Sequence, residues 1–541
     1  MQNSITIVLS GEAGQGLQTI EDLLTKAISD SYYIFSASEV MSRVRGGNNT
    51  VTFRISEEKV FSFRYEIDFL FLLNDHGLSR LKQRITPNTR IFDQDRFAGE
   101  KSVSKDSNMV ILGFIAGMLG LEKAMVINLI RSHFSAKAKE RVSENERAFE
   151  TGFDQGSAEP RLNLTKSSAP GTYKILDGTQ AVGIGALSGG CNFVASYPMS
   201  PGTGLLTFMA DHAIAHGVLV EQAEDEIAAL NMVIGAWYAG ARGLVTTSGG
   251  GFSLMQEAVS LAAMTETPCV IHVGQRPGPA TGLPTRTEQA DLNLVVYSGH
   301  GEFPRIVLAP GSLEDGVLLS QKAFDLADQY QVPVFILTDQ FYLDAKGQME
   351  RLTLNEDGLK QHIIKTDPNY LRYTLNASGI SPRGIPGYGT GFVKADSDEH
   401  DEHGMITEDF EMRVKMNDKR LRKENGLLEE YVSAELIGPS EYQHLIVGWG
   451  STYGVLKEFI KTRTTADTAF LNIKQVYPLH SELLPYFKKA QSVTVVENNA
   501  KGQLADLLVL KLGVKITNRV LKYSGEPFFI EEIKKRLLEV L

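Results

Sequence analysis

The chain has 541 residues, with 54 Lys and Arg against 65 Asp and Glu, a formal net charge of −11. At about 150 residues per domain that length predicts three or four domains, and the acidic excess excludes the basic face that nucleic acids and anionic membranes require. Only two cysteines occur, Cys191 and Cys269, so this chain holds no four-cysteine iron–sulfur or zinc site of its own and no disulfide framework.

The first residues lack the basic start of a signal sequence and read as a strand. The longest apolar stretch, residues 109–121, stops at Glu122-Lys123, too short to span a bilayer. A cytoplasmic protein without a membrane or nucleic-acid partner is the expectation.

Taken in chain order, residues 5–9 predict a buried parallel strand, followed by a glycine turn and a helical pattern through Leu17, Ile20, Leu23, Leu24 and Ala27. Strands at 51–55 and 67–73 and helices from 108 and 121 complete an open α/β domain over 1–165. A polar Gly/Ser/Pro stretch ends it. Residues 171–343 alternate strands (193–196, 217–222, 243–247, 269–273, 332–338) with helical patterns (178–190, 226–240, 252–265). That alternation predicts a doubly wound parallel sheet. Residues 344–442 are polar and read as a connection wrapping the surface. Residues 443–541 return to strands at 445–447, 469–473 and 492–497.

Several strand ends carry chemistry. Gly11-Glu12-Ala13-Gly14-Gln15-Gly16 lies between a strand and a helix, where glycines expose backbone N–H groups to an anion or make a tight turn. Nearby Arg43 and Arg45 suit a phosphate or a solvated loop equally. Tyr197-Pro198-Met199-Ser200-Pro201-Gly202-Thr203 follows the strand 193–196, at the end where open α/β sheets bind ligands. Glu221, Glu224 and Glu226 precede a helix. They either offset its dipole or hold one carboxylate for proton chemistry, and composition does not choose among them. Ser248-Gly249-Gly250-Gly251 ends another strand and permits close approach of a ligand or of backbone. Arg276 and Arg286 flank a Pro/Gly loop suited to a carboxylate, or to surface ion pairs. The run Asp398-Glu399-His400-Asp401-Glu402-His403 reads as a charged loop rather than a metal centre.

In this order the motifs resemble the α subunit of 2-oxoacid:ferredoxin oxidoreductases, in the form with a γ domain fused in front, as in 2-oxoglutarate:ferredoxin oxidoreductase. Residues 197–203 match the family's YPxSP/TP pattern, Glu226-Ile227-Ala228-Ala229-Leu230-Asn231 its glutamate helix, and residues 278–286 its GLPTR loop. The glycine loop departs from GxGGQG at Ala13. The resemblance implies a γ-type α/β domain over 1–165, a thiamine diphosphate pyrimidine-binding domain over 171–343, a connecting segment over 344–442 and a transketolase C-terminal-like domain over 443–541, where Glu497-Asn498-Asn499 fits. It implies coenzyme A-dependent oxidative decarboxylation of a 2-oxoacid, or the reverse carboxylation, with electrons passing to ferredoxin. Glu226 becomes the glutamate that hydrogen-bonds N1′ of the aminopyrimidine. Tyr197, Pro198, Gly249 and Gly250 contact thiamine, and Ser200, Thr203, Arg276 and Arg286 contact the oxoacid. Gly11, Gly14, Gly16 and Arg45 are offered to coenzyme A. The second arginine favours 2-oxoglutarate over pyruvate, branched or aryl 2-oxoacids. The chain contains no GDG motif. The diphosphate, Mg²⁺ and a [4Fe-4S] cluster are therefore expected on a β subunit, in an (αβ)₂ heterotetramer, and the chain alone is expected to be inactive. The competing reading of another class is a nucleotide-binding sensor built on the first glycine loop, against which the incomplete dinucleotide fingerprint argues.

Overall fold

The computed structural model describes residues 4–41, 48–74, 76–93, 107–135, 141–160, 162, 164–167, 173–352, 354, 359–463 and 465–541. It forms two compact units. One comprises Met1–Asp177, Asp344–Arg351 and Phe528–Lys535, the other Gly178–Leu343, Leu352–Pro527 and Arg536–Leu541.

The first unit is built on a seven-stranded sheet. Its first strand, Ser4–Glu12, runs parallel to Phe69–Leu72 on one side and antiparallel to the central strand, Asn48–Ser56, on the other. The parallel strand expected at residues 5–9 is thus buried as expected but parallel on one side only, since Asn48–Ser56 pairs with it antiparallel. Tyr33–Glu39 pairs antiparallel with Asn48–Ser56 and makes the mixed half of the sheet. The apolar stretch near residue 110 is the helix Ser107–Met118. It lies directly against the helix Val142–Ser157. A Cβ on Gly113 would fall 2.1 Å from Phe149 O, and one on Gly152 would fall 1.9 Å from Val110 O. Glycine alone lets these two backbones touch.

Residues 344–351 join this unit through a strand, Ala345–Met349, at the centre of a charge cluster. Lys346 Nζ lies 3.2 Å from Glu21 Oε2 and 2.8 Å from Asp22 Oδ1. Glu21 is fully buried, and the Ser36 and Ser38 hydroxyls donate to it at 2.9 and 2.8 Å. Burial alone would push the Lys346 ammonium down; Glu21 and Asp22 outweigh it and hold it above its ordinary range.

The second unit contains two sheets over one continuous apolar core. The larger has spatial order Gln475–Tyr477, Ile306–Leu308, Pro333–Asp339, Cys269–Gln275, Gly243–Ser248, Phe193–Ser196, Leu219–Gln222. All pairs are parallel except the edge pair with Gln475–Tyr477. The smaller sheet orders Glu435–Ile437, Thr468–Asn472, His444–Gly448, Ser492–Glu497 and Asn518–Leu521, again parallel but for the first pair. Most of the strands expected here form within one or two residues of their predicted ends.

The segment expected as a surface connection holds more than the strand at 345–349. It also contains the helix Phe410–Glu429, whose Lys419 and Lys423 are fully buried. Both ammonium groups clasp Glu266, at 2.5 and 2.6 Å. Glu266 has a left-handed φ of 48°, and Arg372 donates to its carbonyl at 2.7 Å. Burial raises the Glu266 carboxyl, but Lys423, Lys419 and Arg372 overcome it and hold it well below the ordinary range. His400 stacks on Tyr373 with ring centroids 4.0 Å apart, and Glu399 binds Arg413 and Arg420. The acidic and histidine run thus anchors this helix. Among the described residues no three His, Cys, Asp or Glu side chains converge on a metal position, and no helix is long and apolar enough to cross a membrane.

Removing the one carboxylate of this buried cluster leaves two ammonium groups uncompensated, at about 3–5 kcal/mol. Glu266→Gln is therefore expected to lower the urea midpoint substantially at pH 7. Because the Glu266 carboxyl is held low, its contribution is complete above the unfolded carboxylate range and is lost as pH falls through the folded value. The deficit of Glu266→Gln should accordingly shrink in acid. An unchanged midpoint at neutral pH would contradict the cluster's role.

Candidate active site at the sheet's switch point

The chain lays down the strand Phe193–Ser196, moves outward to Leu219–Gln222, then returns to the other side with Gly243–Ser248. Between Phe193–Ser196 and Gly243–Ser248 the strand order reverses. The carboxyl ends of strands at such a reversal open a crevice in which ligands sit. The turns that begin at Tyr197 and Gly249 flank this one.

The first turn is pinned from below. A Cβ on Gly202 would fall 2.8 Å from Thr246 Oγ1 and 2.9 Å from Thr247 N. Thr246 Oγ1 donates to Gly202 O at 3.2 Å and lies 2.8 Å from His272 Nδ1; His272 Nε2 lies 2.9 Å from Thr338 Oγ1. Burial pushes His272 down to about 3, so this imidazole is a neutral strut between strands. Above it, Tyr197 and Ser200 reach solvent, Pro198 is half-buried, and Thr203 begins the helix Thr203–His216. Arg276 Nη1 donates to Ser200 O at 2.7 Å. Arg276 and the Ser200 turn are therefore in direct contact. Arg286 lies further along the same loop, beside Gly525, whose Cβ position is 3.3 Å from Arg286 Cβ.

The three glutamates that the sequence leaves undecided separate by burial. Glu221 and Glu224 are exposed, whereas Glu226 is 4% exposed. Glu226 is the first residue of the helix Glu226–Tyr238, which Asp225 caps by accepting from Ala228 N at 2.8 Å. Its Oε1 accepts no hydrogen bond among the described residues. Of the three glycines in the second turn, Gly251 is the one that meets it. A Cβ there would fall 2.7 Å from Glu226 Oε1 and 2.2 Å from Thr247 Oγ1, a second buried atom without a partner. Gly250 is open, with nothing closer than 3.8 Å, and Gly249 faces the Asp291 carboxylate. Motif reading named all three glycines and gave Gly249 and Gly250 to the ligand; that Gly251 is the one against Glu226, and the parts of Thr247 and Asp291, emerge only from the fold.

This geometry suits a heteroaromatic ligand that presents a nitrogen to Glu226. A buried carboxyl oxygen without a partner is poorly satisfied until a ligand group shares a hydrogen bond with it. Thiamine's aminopyrimidine has such a nitrogen, and the residues fit it.

The motif Glu497-Asn498-Asn499 plays a supporting part. Glu497 accepts from Leu504 N, Ala505 N and Asn499 Nδ2 at 2.9–3.0 Å, holding the start of the helix Gln503–Leu512. Asn498 N donates to Gln289 Oε1 at 2.9 Å, and Gln289 Nε2 donates to Trp449 O at 2.9 Å. These bonds fix the loop that carries Arg286 and Asp291.

In the first unit, Gly11 lies within the strand Ser4–Glu12 rather than in the turn. Gly14 and Gly16 have positive φ, and Gly16 precedes the helix Leu17–Ile28. Gln15 closes the turn, accepting from Glu12 N at 2.6 Å and donating to Leu73 O at 3.2 Å. Arg43 and Arg45 lie outside the described residues.

Comparison with known proteins gives a consistent picture. Residues 184–419 match the family described as "Pyruvate flavodoxin/ferredoxin oxidoreductase, thiamine diP-bdg", and residues 6–98 match "Pyruvate ferredoxin/flavodoxin oxidoreductase". The chain is 29% identical to a 2-oxoacid:ferredoxin oxidoreductase subunit alpha of Sulfolobus sp, over 99% of this chain and 96% of that one. It is 33% identical to the 2-oxoacid:ferredoxin oxidoreductase 2 subunit alpha of Aeropyrum pernix, over 81% and 72%. It is 34% identical to the 2-oxoglutarate synthase subunit KorA of Archaeoglobus fulgidus, over 61% and 89%. The structure of 2-oxoglutarate:ferredoxin oxidoreductase from Magnetococcus marinus with 2-oxoglutarate, coenzyme A and succinyl-CoA bound superposes with a TM-score of 0.91 at 28% identity, over all of both chains.

The close approach at Gly251 is testable without any ligand. Gly251→Ala should cost about 1–3 kcal/mol of stability, as overpacking does, and Thr247→Ala in the same chain should recover part of it by removing the nearest atom. Equal stability of Gly251→Ala and the parent would contradict the packing at Glu226.

Proposed function

We propose a working site from the premise that this chain belongs to the 2-oxoacid:ferredoxin oxidoreductases, in which it corresponds to the alpha subunit. In our reading it provides the pyrimidine half of a thiamine diphosphate site and acts on 2-oxoglutarate, with coenzyme A as acyl acceptor. The observation that carries this is Glu226: a buried carboxylate at the switch point, one oxygen unpartnered, against a glycine turn.

Residues 1–165 serve as the γ-type domain, 171–343 as the pyrimidine-binding domain, 344–442 as the connecting segment and 443–541 as the transketolase C-terminal-like domain. Bound thiamine diphosphate supplies the nucleophilic carbon and the electron sink that 2-oxoacid decarboxylation needs. The chain's own groups act around it. The Glu226 carboxyl shares a hydrogen bond with N1′ of the pyrimidine and so favours the tautomer whose exocyclic nitrogen takes up a proton. Gly251 leaves space beside Glu226, the turn is open at Gly250, and Tyr197, Pro198, Gly249 and Gly250 line the ring's approach. Ser200 and Thr203 face the oxoacid from the helix start, and Arg276 and Arg286 supply positive charge to its carboxylates. Holding the oxoacid in place in this way lowers the barrier by orientation as well as by charge.

The remaining parts belong to a second chain. A β subunit would carry Mg²⁺, the diphosphate and a [4Fe-4S] cluster, in an (αβ)₂ assembly that reduces ferredoxin. The first glycine loop, Gly11, Gly14 and Gly16 with Arg45, would serve coenzyme A. The choice of 2-oxoglutarate rests on the arginine pair, on the relatives named 2-oxoglutarate synthase and on the ligands named with the Magnetococcus structure.

Assembled with its β partner, the enzyme should reduce a viologen in the presence of coenzyme A and 2-oxoglutarate, and more slowly with pyruvate or branched 2-oxoacids. Glu226→Ala should lower that rate about 10²–10⁴-fold, the range of a lost acid–base group. Full activity of Glu226→Ala would overturn the role of Glu226, and a preference for pyruvate would overturn the substrate.

A further inference from the structure

Side chains, rather than backbone, bridge the switch-point crevice. The strands Phe193–Ser196 and Gly243–Ser248 pair only at their beginnings, Phe193 with Gly243 and Val194 with Leu244. Beyond those residues the ladder stops and polar side chains tie one side to the other. Ser196 Oγ donates to Thr246 O, and Thr246 Oγ1 donates to Gly202 O at 3.2 Å. The outermost tie is Ser248 Oγ, which donates to Met199 Sδ at 2.7 Å. Ser248 ends its strand immediately before the glycine turn, and Met199 lies in the other turn, one residue before Ser200.

Both ends of this tie are placed by their surroundings. Ser248 is fully buried, and Met199 Sδ is the only acceptor its hydroxyl meets among the described residues. A thioether is a weak acceptor, but a buried hydroxyl that lets go of it is left with nothing, so the serine holds the sulfur. Met199 is half-buried, and the next residue is held from the opposite side, where Arg276 Nη1 donates to Ser200 O at 2.7 Å. The tie also lies at the floor of the crevice. Ser248 Oγ is 3.9 Å from the Cβ position of Gly250, the open point of the glycine turn.

We infer that Met199 is a positioning residue of this site: gripped through its sulfur by Ser248, it sets how far the Ser200 turn stands from the glycine turn, and so how an oxoacid held by the first meets thiamine bound at the second. This rests on the reading of the two turns as oxoacid and thiamine contacts. Met199 makes and breaks no bond; its contribution is orientation. Reacting atoms must come within about 3–3.5 Å, and a displacement of about 1 Å costs up to about 10²-fold in rate. The Thr246 tie reaches only Gly202, at the far end of the turn from Tyr197, so Met199 is what holds the part that carries Ser200.

A methionine in a turn also fills space, and the two roles separate on substitution. Leucine keeps the apolar volume and removes the acceptor. Glutamine keeps the unbranched length and puts a carbonyl oxygen near the place of the sulfur, so it restores an acceptor for Ser248.

The test uses the assembled enzyme with its β partner. It measures kcat and KM for 2-oxoglutarate, with the rate expressed per bound thiamine diphosphate, in wild type, Met199→Leu, Met199→Gln, Ser248→Ala and the double variant Met199→Leu/Ser248→Ala. Met199→Leu and Ser248→Ala should each lower kcat about tenfold with thiamine content unchanged. The double variant should be no slower than the slower single one, because the two changes cut one tie, and Met199→Gln should stay within about threefold of wild type. A role in stability alone would leave kcat per bound thiamine at the wild-type value in every variant. In an enzyme whose rate still depends on Glu226, three results would each overturn the inference alone: full kcat in Met199→Leu or in Ser248→Ala, losses that multiply in the double variant, or a Met199→Gln no faster than Met199→Leu. An assembly with no 2-oxoacid-dependent activity, or one indifferent to Glu226→Ala, would overturn the reading of the site and the inference with it.

Discussion

The second unit is organised around one unsatisfied oxygen. Glu226 Oε1 is buried and accepts no hydrogen bond among the described residues, a condition that costs about 1–3 kcal/mol. The fold tolerates it because everything around it is fixed. Asp225 caps the helix that Glu226 begins, the core holds that helix against the sheet, and Gly251 gives up its side chain to let the carboxylate in. Such strain stored at a strand-end crevice is what a binding site does before its ligand arrives.

The rest of the unit supplies rigidity at a distance. The Thr246–His272–Thr338 strut fixes the Ser200 turn without taking part in chemistry, since burial keeps that imidazole neutral. Gln275 and Gln289 act as amide pins. One joins the strand end to Asp291, and the other joins the same loop to Asn498 and Trp449 beside the smaller sheet. The smaller sheet thus holds the arginine loop, while Glu497, which motif reading took as fitting a transketolase C-terminal-like domain, is spent on a helix start. The same economy appears behind the sheet, where Glu266 is clasped by two lysines of a helix from the connecting segment.

Much of this was legible in the residues. Buried parallel strands are short apolar runs with abrupt ends, and 193–196 and 492–497 form as the pattern predicts. The strand-end turns carry their own punctuation of proline and glycine. Direction and partner were not legible: the strand beginning at Ser4 is parallel on one side and antiparallel on the other, because Tyr33–Glu39 folds back beside Asn48–Ser56 and its half-buried pattern is too weak to read. Residues 344–442 misled by polarity. Composition counts Lys419 and Lys423 as solvent-facing, and only the fold brings Glu266 to meet them. Within the site, three nearby glutamates look alike in sequence, and burial alone sets Glu226 apart. Asp291 could not be found from spacing at all, since its significance lies in contacts with Gly249 and Gln275, 42 and 16 positions away.

The central claim is that this chain presents one buried carboxylate to the pyrimidine of thiamine and that a second chain completes the site. The most direct measurement is the structure of the chain assembled with its β partner and thiamine diphosphate. The account predicts Glu226 Oε1 within about 2.7–3.2 Å of pyrimidine N1′, with the diphosphate and its metal held by the partner. A pyrimidine nitrogen bound by any other carboxylate, with Glu226 turned toward protein or solvent, would contradict it.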